Sequence, residues 1–212
     1  MLMHLRRRAG WSLMLLLSLA IVAYAGALLV TRAFPDELGP SLYVHSFAIS
    51  QHIVGAMLAL ALGPFQFLSR LRNRYLNVHR WMGRLYLLGV LVGGSSGLYL
   101  AAFSYGGMIT HIAFGSLAVL WLATGLLAYR AIRAKRIEVH RHWMTLNFSL
   151  TLAGVMLRLW VPVMVTSGIP FEAAYLVVSW LCWVPNLVVA EAVFRASLRR
   201  ANPPAAASAA AG

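Results

Sequence analysis

The segments HIVGAMLAL (His52–Leu60) and VHRWM (Val78–Met82) are followed by a similar pair, HIAFGSLAV (His111–Val119) and VHRHWM (Val139–Met144). In each pair, a histidine opens an apolar segment and a second histidine lies beside an arginine. The two histidines are 27 residues apart in the first pair and 29 residues apart in the second. The sequence therefore predicts one structural unit that occurs twice, and the fold depends on what this unit is.

Composition indicates that the repeated unit lies in a membrane. Of 212 residues, 61% are hydrophobic and 11% are charged, whereas soluble domains carry about a quarter charged residues. Six segments are long enough to cross a bilayer, and each must be helical to satisfy its own backbone. They are Trp11–Val30, Ser41–Leu68, Trp81–Phe103, Met108–Tyr129, Trp143–Val165 and Phe171–Phe194. We predict an all-α, polytopic protein in which spans two to five form a pseudo-repeated four-helix core.

Basic residues cluster on one side of these spans. Sixteen of the 18 lysines and arginines lie in the termini and loops of one face. By the positive-inside rule this face is cytoplasmic, which predicts a multi-pass protein of the cell inner membrane with both termini in the cytoplasm. The net charge of +13 is then a topology signal, and we expect the lipid bilayer, not nucleic acid, as the partner.

The two ends of the chain need separate interpretation. The N-terminal arginines, apolar stretch and Ala23–Ala25 tripeptide resemble a signal peptide. However, the apolar stretch exceeds the 7–15 residues that are typical of a signal peptide, so we favour a retained first helix. Residues 1–200 are predicted to form one transmembrane domain with its core at about residues 41–165, and Ala201–Gly212 a disordered tail.

Six of the seven histidines fall on spans two to five, where ionisable residues are costly and indicate function. His52 and His111 lie 18 and 19 residues before the next basic loop, roughly 27–28 Å from the inner boundary. His79 and His140 open spans three and five on the cytoplasmic side. If the two hairpins pack around an axis along the membrane normal, His52 faces His111 on the outer side. His79 then faces His140 on the inner side.

Small residues accompany these histidines on the same helix faces. They include Gly55, Ala56, Ala59, Gly63, Gly93 and Gly97. Two facing imidazoles with space between them are what a six-coordinate haem b requires. We therefore predict two haems b, one bound by His52 and His111 and the other by His79 and His140. Small residues are also ordinary helix-packing positions in membranes, and this interpretation stays open. His45 shares a face with His52 and could replace it.

Arginines supply the second group of candidate site residues. Arg158 lies 18 positions after His140, five full turns, and so falls on the same interior face near the outer boundary. A haem propionate, or an anionic or quinone headgroup, would neutralise it; the alternative is snorkelling to the outer headgroups. Arg80, Arg84 and Arg141 are candidate propionate partners at the inner site, and the alternative is that they only set topology.

Four strings together are similar to a known family. They are LGPFQF (Leu62–Phe67), HRWMGRLY (His79–Tyr86), HRHWM (His140–Met144) and WLCWVPNLVVAE (Trp180–Glu191). They resemble the integral membrane family catalogued as domain of unknown function 2306, over about residues 40–195. The family pattern includes the positions of His52, His79 and His140 and is less firm at His111. This resemblance implies the fold and the membrane location, and it brings no established activity.

The placement of the four histidines is also similar to that of the cytochrome b-561 di-haem family, without a shared sequence motif. That resemblance implies transmembrane electron transfer. We expect a cytoplasmic reductant or a quinol as donor, and as an enzyme the protein would be a membrane oxidoreductase. Two other functions fit the same residues: a haem-free transporter or small-molecule binder that relays protons or anions, and an accessory subunit whose histidines only pack. A quinone, a small redox substrate and a second copy of the chain are the candidate partners.

Overall fold

The computed structural model describes residues 2–31 and 44–201. In these ranges the chain is helical, without strands. The helices are α1 (Leu2–Thr31), α2 (Ser46–Gln66), α3 (Ser69–Arg74), α4 (Leu76–Ala101), α5 (Met108–Arg133), α6 (Ile137–Thr151), α7 (Ala153–Thr166), α8 (Phe171–Leu181) and α9 (Val184–Ala201). The all-α prediction is confirmed. The predicted start of span two at Ser41 and nearly all of the predicted tail lie outside the described residues.

Six segments of the described chain are long and apolar enough to cross a membrane, which confirms the six-span prediction. They are Ala9–Thr31, Ser46–Gln66, Leu76–Ala101, Met108–Arg133, Ile137–Thr166 and Phe171–Arg199. Several of these helices continue beyond the apolar stretches that predicted them. The reason is that backbone hydrogen bonding continues into the polar interface after the apolar side chains end.

Spans five and six are each divided into two helices. Span five is divided at Leu152, whose carbonyl accepts from Val155 at 3.0 Å as well as from Met156 at 3.0 Å, so the helix tightens locally there. Span six is interrupted at Cys182 and Trp183, just before Pro185. A proline has no N–H to give to the preceding turn, so the helix cannot run through this position without interruption.

The closest helix contact joins α2 to α4. A Cβ on Gly55 would lie only 2.7 Å from the Gly89 oxygen and from the Gly93 Cα, so the two backbones touch at these glycines. The helix-packing interpretation of the small residues therefore holds here, and the predicted space for a flat ligand is occupied by α4. Two turns further along α2, Gly63 lies against the Phe148 ring of α6, which brings α6 onto α2.

A polar network fills the middle of the bundle where α4, α5 and α6 meet. The Tyr86 hydroxyl donates to Asn147 Oδ1 at 2.7 Å, and Asn147 Nδ2 donates to the Trp121 carbonyl at 2.7 Å and to Thr124 Oγ1 at 2.8 Å. Trp121 Nε1 donates to Thr151 Oγ1 at 2.9 Å. Tyr86 and Asn147 are fully buried. These polar groups can be buried in the middle of the bundle because they satisfy one another's hydrogen bonds. We use the network as the boundary between an inner half of the bundle, on the basic side, and an outer half.

Candidate functional site

The structure brings the two inner histidines together. The Tyr86–Asn147 hydrogen bond joins facing sides of α4 and α6. His79 precedes Tyr86 by seven residues, and His140 precedes Asn147 by seven. Each histidine therefore lies on the same helix face as its network residue, two turns or roughly 10 Å nearer the basic side. The two imidazoles therefore lie at the same level of the bundle, and His140 acts electrostatically on His79.

Both inner imidazoles are half-buried and retain unbonded ring nitrogens. His140 Nδ1 donates to the Ala128 carbonyl at 2.9 Å, which leaves Nε2 as the nitrogen with the lone pair. His79 Nδ1 is buried with no hydrogen-bond partner among the described residues, and so is Gln66 Nε2. Gln66 belongs to the same region. Its Oε1 lies 3.4 Å from the position that a Cβ on Gly83 would occupy, and Gly83 is one helical turn from His79 on α4. Orphaned buried polar atoms are rare, and here two of them occur in the same part of the bundle.

Two of the three predicted propionate partners are engaged with other side chains. The Arg84 guanidinium lies 4.9 Å from the centre of the Trp81 ring. Arg141 Nη1 donates to Glu138 Oε1 at 2.8 Å. Both arginines are exposed, as expected of residues at the membrane interface that determine topology.

Arg80, the third predicted partner, acts electrostatically on His79, and so does Arg72. Arg80 is exposed, whereas Arg72 is half-buried in the short helix α3. Arg72 was not predicted as a site residue, because residue spacing does not indicate that the short helix α3 packs against the start of α4. The signal that could have found it is its place in the short loop that directly precedes His79.

The two outer histidines make different contacts from each other. His52 Nδ1 donates to the Gly93 carbonyl at 2.8 Å, and its ring lies against Gly97, where a Cβ would come within 2.9 Å of Nδ1. His111 Nε2 donates to the Ser104 carbonyl at 3.1 Å, in the loop that follows α4. Between these two described histidines there is no hydrogen bond or ring contact. The structure therefore brings the inner pair together more clearly than the outer pair.

His45 lies in a third environment, on the surface that α2 and α4 form at their outer ends. Its Nδ1 is 3.1 Å from the Tyr99 hydroxyl, and its ring stacks on Phe103 with centroids 4.1 Å apart. The residues around it border an open groove of about 470 Å³. Its polar lining consists of His45, Ser46, Gln51, Ser95, Ser96 and Tyr99. His45 thus lies in a surface groove, whereas His52 is seated against the glycines of α4.

Arg158 lies among aromatic and imidazole groups. Its guanidinium carbon is 5.7 Å from the centre of the Tyr24 ring, and Nη1 donates to the Gly154 carbonyl at 2.9 Å. His52 and Tyr175 are within electrostatic range. Arg158 therefore lies between Tyr24 of α1 and the Gly154 turn of α7, and its depth in the membrane stays a prediction.

A cluster on spans five and six was not predicted from the sequence. His142 Nε2 and Glu191 Oε2 are 2.5 Å apart, and Arg195 Nε donates to Glu191 Oε1 at 2.6 Å. The His142 ring also stacks on Phe194, with centroids 4.6 Å apart. The available signal was Glu191, an acid within an otherwise apolar span. This cluster ties the basic ends of the last two spans together.

Residues 49–194 match a family model described as a predicted membrane protein (DUF2306). The match covers more than half of the chain and extends from the second span to the sixth. No curated protein and no solved structure gives a significant match. The family that the four sequence strings indicated is thus confirmed, whereas the likeness to cytochrome b-561 stays a prediction. With its six apolar helices, the chain is a multi-pass membrane protein that belongs to the DUF2306 family.

Proposed function

We propose that the protein binds haem b between α4 and α6, with His79 and His140 as axial ligands, and that it transfers electrons in the membrane as a cytochrome b-561-like protein. The observation that carries this proposal is the inner histidine pair. Two half-buried imidazoles on facing helices lie two turns below a buried hydrogen bond, and both have unbonded ring nitrogens. In a membrane, such residues indicate function.

The donor set fits an iron held by two imidazoles. Metal-bound histidines usually donate their second N–H to a carbonyl or carboxylate, which fixes the ring, and His140 makes this bond to Ala128. His79 has a buried nitrogen that no described residue satisfies. When bound, haem b supplies the one-electron chemistry. The chain would hold the group between its helices, and Arg72 and Arg80, which act electrostatically on His79, would offset the propionate charges.

A second haem at His52 and His111 stays a prediction. Ligation through Nε2 of His111 requires its hydrogen bond to Ser104 to break, whereas His140 already presents a free Nε2. The proposal therefore rests on the inner site alone. By the positive-inside rule, this site lies near the cytoplasmic surface of the inner membrane, with both termini on that side.

A membrane quinol in the groove beside His45 would serve the second, predicted haem, because both lie in the outer half of the molecule, whereas a cytoplasmic reductant would serve the inner haem. The groove has a volume of about 470 Å³ and is largely open at the surface of the described residues. Ser96 in its lining donates to the Val92 carbonyl at 2.6 Å and has a longer contact of 3.3 Å with the Gly93 carbonyl, to which His52 Nδ1 donates. A quinol headgroup in this groove would thus be one shared carbonyl away from His52. A second copy of the chain stays a predicted partner.

The visible spectrum of the purified protein tests the haem proposal. The protein is expressed with added haem, purified in detergent and recorded in its oxidised and dithionite-reduced forms. We expect the Soret and α bands of haem b, and their loss in His79→Ala and in His140→Ala, because each variant removes one axial ligand. His45→Ala is the matched control, since it removes an imidazole from the surface groove, and its spectrum should be unchanged.

Two outcomes would contradict the proposal. One is a folded wild-type protein that remains colourless, which would favour the haem-free binder or transporter. The other is a haem spectrum that survives in both inner variants. The haem content of His111→Ala distinguishes one site from two: it equals that of the wild type for one haem and falls by about half for two.

A further inference from the structure

Two arginines lie one helical turn apart on the exposed face of α4. Arg80 and Arg84 are four residues apart, so their side chains are neighbours on the helix surface, and both are exposed. The Arg84 guanidinium lies 4.9 Å from the centre of the Trp81 ring, which is itself 62% exposed. Like charges at this spacing destabilise a helix. An anion that lies between the two guanidinium groups would relieve this repulsion.

The two copies of the repeated unit differ at this face. In the second copy, the arginine that follows the histidine is Arg141, and its Nη1 donates to Glu138 Oε1 at 2.8 Å. In the first copy, Asn77 stands at the position of Glu138, so the internal carboxylate is missing. Arg84 stands at the position of Thr145, which adds a positive charge. The first copy therefore has two arginines where the second copy has an internal ion pair.

The other acids of the chain do not supply the missing carboxylate. Residues 38–137 contain no aspartate or glutamate, and Glu191 is held in the ion pairs of the cluster on spans five and six. Asp36, Glu37 and Glu172 precede spans two and six. Because consecutive spans cross in opposite directions, these two spans start on the opposite side of the membrane from span three. Neither arginine of the pair makes a hydrogen bond or an ion pair with a described residue.

An apolar stripe continues the same face of α4 towards the middle of the membrane. Leu88, Leu91 and Leu98 follow Arg84 at intervals of four, seven and fourteen residues, which keeps them on one helix face. All three leucines are exposed, so no described helix covers them. Arg84 itself lies eight residues after the start of α4, roughly 12 Å along the helix. An acyl chain can therefore extend along the stripe from a headgroup at the two arginines.

We propose that Arg80, Trp81 and Arg84 form a binding site for one anionic phospholipid. The lipid phosphate accepts charge-assisted hydrogen bonds from both guanidinium groups, and the Trp81 ring holds Arg84 in place through its cation–π contact. An acyl chain lies along the leucine stripe. Basic residues at the end of a membrane helix are suited to anionic headgroups, whereas a zwitterionic lipid brings a cation of its own. The site is on the exposed face of α4, and lipid binding does not require haem.

Native mass spectrometry of the delipidated protein in detergent, titrated with phosphatidylglycerol, tests the site. We expect the first lipid to bind saturably and at least about tenfold more tightly than phosphatidylcholine. The double variant Arg80→Gln, Arg84→Gln should weaken phosphatidylglycerol binding at least about tenfold, because both phosphate contacts are lost. The matched control is Arg133→Gln, Arg136→Gln, which removes the same charge from exposed residues of the other basic loop. It should bind within about twofold of the wild type.

Two further measurements separate this site from general charge attraction and from free phosphate. Asn77→Glu gives the first copy the carboxylate that the second copy has, three residues before Arg80. It should weaken phosphatidylglycerol binding at least about fivefold, the equivalent of one neutralised basic residue. Glycerol 3-phosphate, which is the phosphorylated headgroup without acyl chains, should not displace the lipid, because it cannot use the leucine stripe.

The proposal is overturned if the two lipids bind equally, if phosphatidylglycerol shows no saturable binding, or if the two double variants bind it alike. Unchanged binding to Asn77→Glu would also contradict it, and displacement by glycerol 3-phosphate would show a site for free phosphate esters instead of a lipid. The comparison of the two lipids uses the wild-type protein, so it does not depend on whether a variant folds. None of these measurements involves haem, so the lipid proposal and the haem proposal fail separately.

Discussion

The first hairpin, α2 with α4, and the second, α5 with α6, arise from similar sequences but are held together by different interactions. In the first, the backbones meet at Gly55 and Gly89. In the second, Asn147 of α6 donates to the Trp121 carbonyl and to Thr124 of α5. One hairpin thus relies on close approach and the other on buried polar groups. A repeated pattern of histidines and apolar residues sets the length of the helices without dictating how they pack.

The histidines differ between the hairpins in the same way. Each hairpin fixes one of its two imidazoles by an Nδ1–H bond to a carbonyl of the opposite helix. In the first hairpin this is His52 at the outer end, and in the second it is His140 at the inner end. The other two, His79 and His111, are held differently. The inner pair therefore joins one fixed and one unsatisfied imidazole, which is why it is the better candidate for a shared ligand.

Gly55→Ala should have the largest effect on stability. The added Cβ would collide with the backbone of α4, which cannot move aside without separating the first hairpin. We expect a loss of about 2–3 kcal/mol, the upper part of the range for overpacking. Thermal unfolding followed by tryptophan fluorescence in detergent measures it.

Gly115→Ala is the matched control in the second hairpin. A Cβ at Gly115 would have ordinary contact with Ala101 at 4.0 Å, so the change should be neutral or stabilise by up to about 1 kcal/mol. Equal destabilisation by both substitutions would show that the two hairpins pack alike.

Asn147→Ala should have an intermediate effect. It removes the partner of the buried Tyr86 hydroxyl and two hydrogen bonds within the second hairpin. We expect a loss of about 1–2 kcal/mol, since hydrogen bonds between membrane helices contribute less than their number suggests. The same unfolding measurement applies, with Asn186→Ala as the control. Asn186 is only half-buried and donates mainly to the Cys182 carbonyl of its own span, with a longer bond of 3.3 Å to the Ser149 carbonyl of α6. A larger loss in the control would contradict a central role for the network.

His111→Ala should have the smallest effect. The half-buried ring makes one hydrogen bond, to the carbonyl of Ser104 in a loop. We expect a loss of about 0.5–1 kcal/mol in the unfolding measurement. A loss well above that of Asn147→Ala would indicate that His111 has a further partner in the folded protein besides this loop. The outer histidine pair would then be as good a candidate for a shared ligand as the inner pair.

The relative placement of His79 and His140 was largely predictable from the sequence, and their surroundings were not. The positions of His79 and His140 after basic loops and before apolar runs indicated their depth, and seven-residue spacing to Tyr86 and Asn147 determines their faces. The approach of Gln66 and Arg72 to His79 depends on how α2 and α3 fold back onto α4. Such contacts between segments have no local periodicity, so the sequence alone could not reveal them.

The sequence by itself determined that this protein is helical, crosses the membrane six times and carries histidines at two depths. Apolar length and the hydrogen-bonding demand of the backbone in lipid leave no other solution for these segments. Only the tertiary structure decided that Gly55 serves helix contact, that Arg158 bonds to the Gly154 carbonyl, and that His111 bonds to a loop. These outcomes depend on which helix faces meet, and small differences in side-chain volume and hydrogen bonding choose among arrangements that share one hydrophobic pattern.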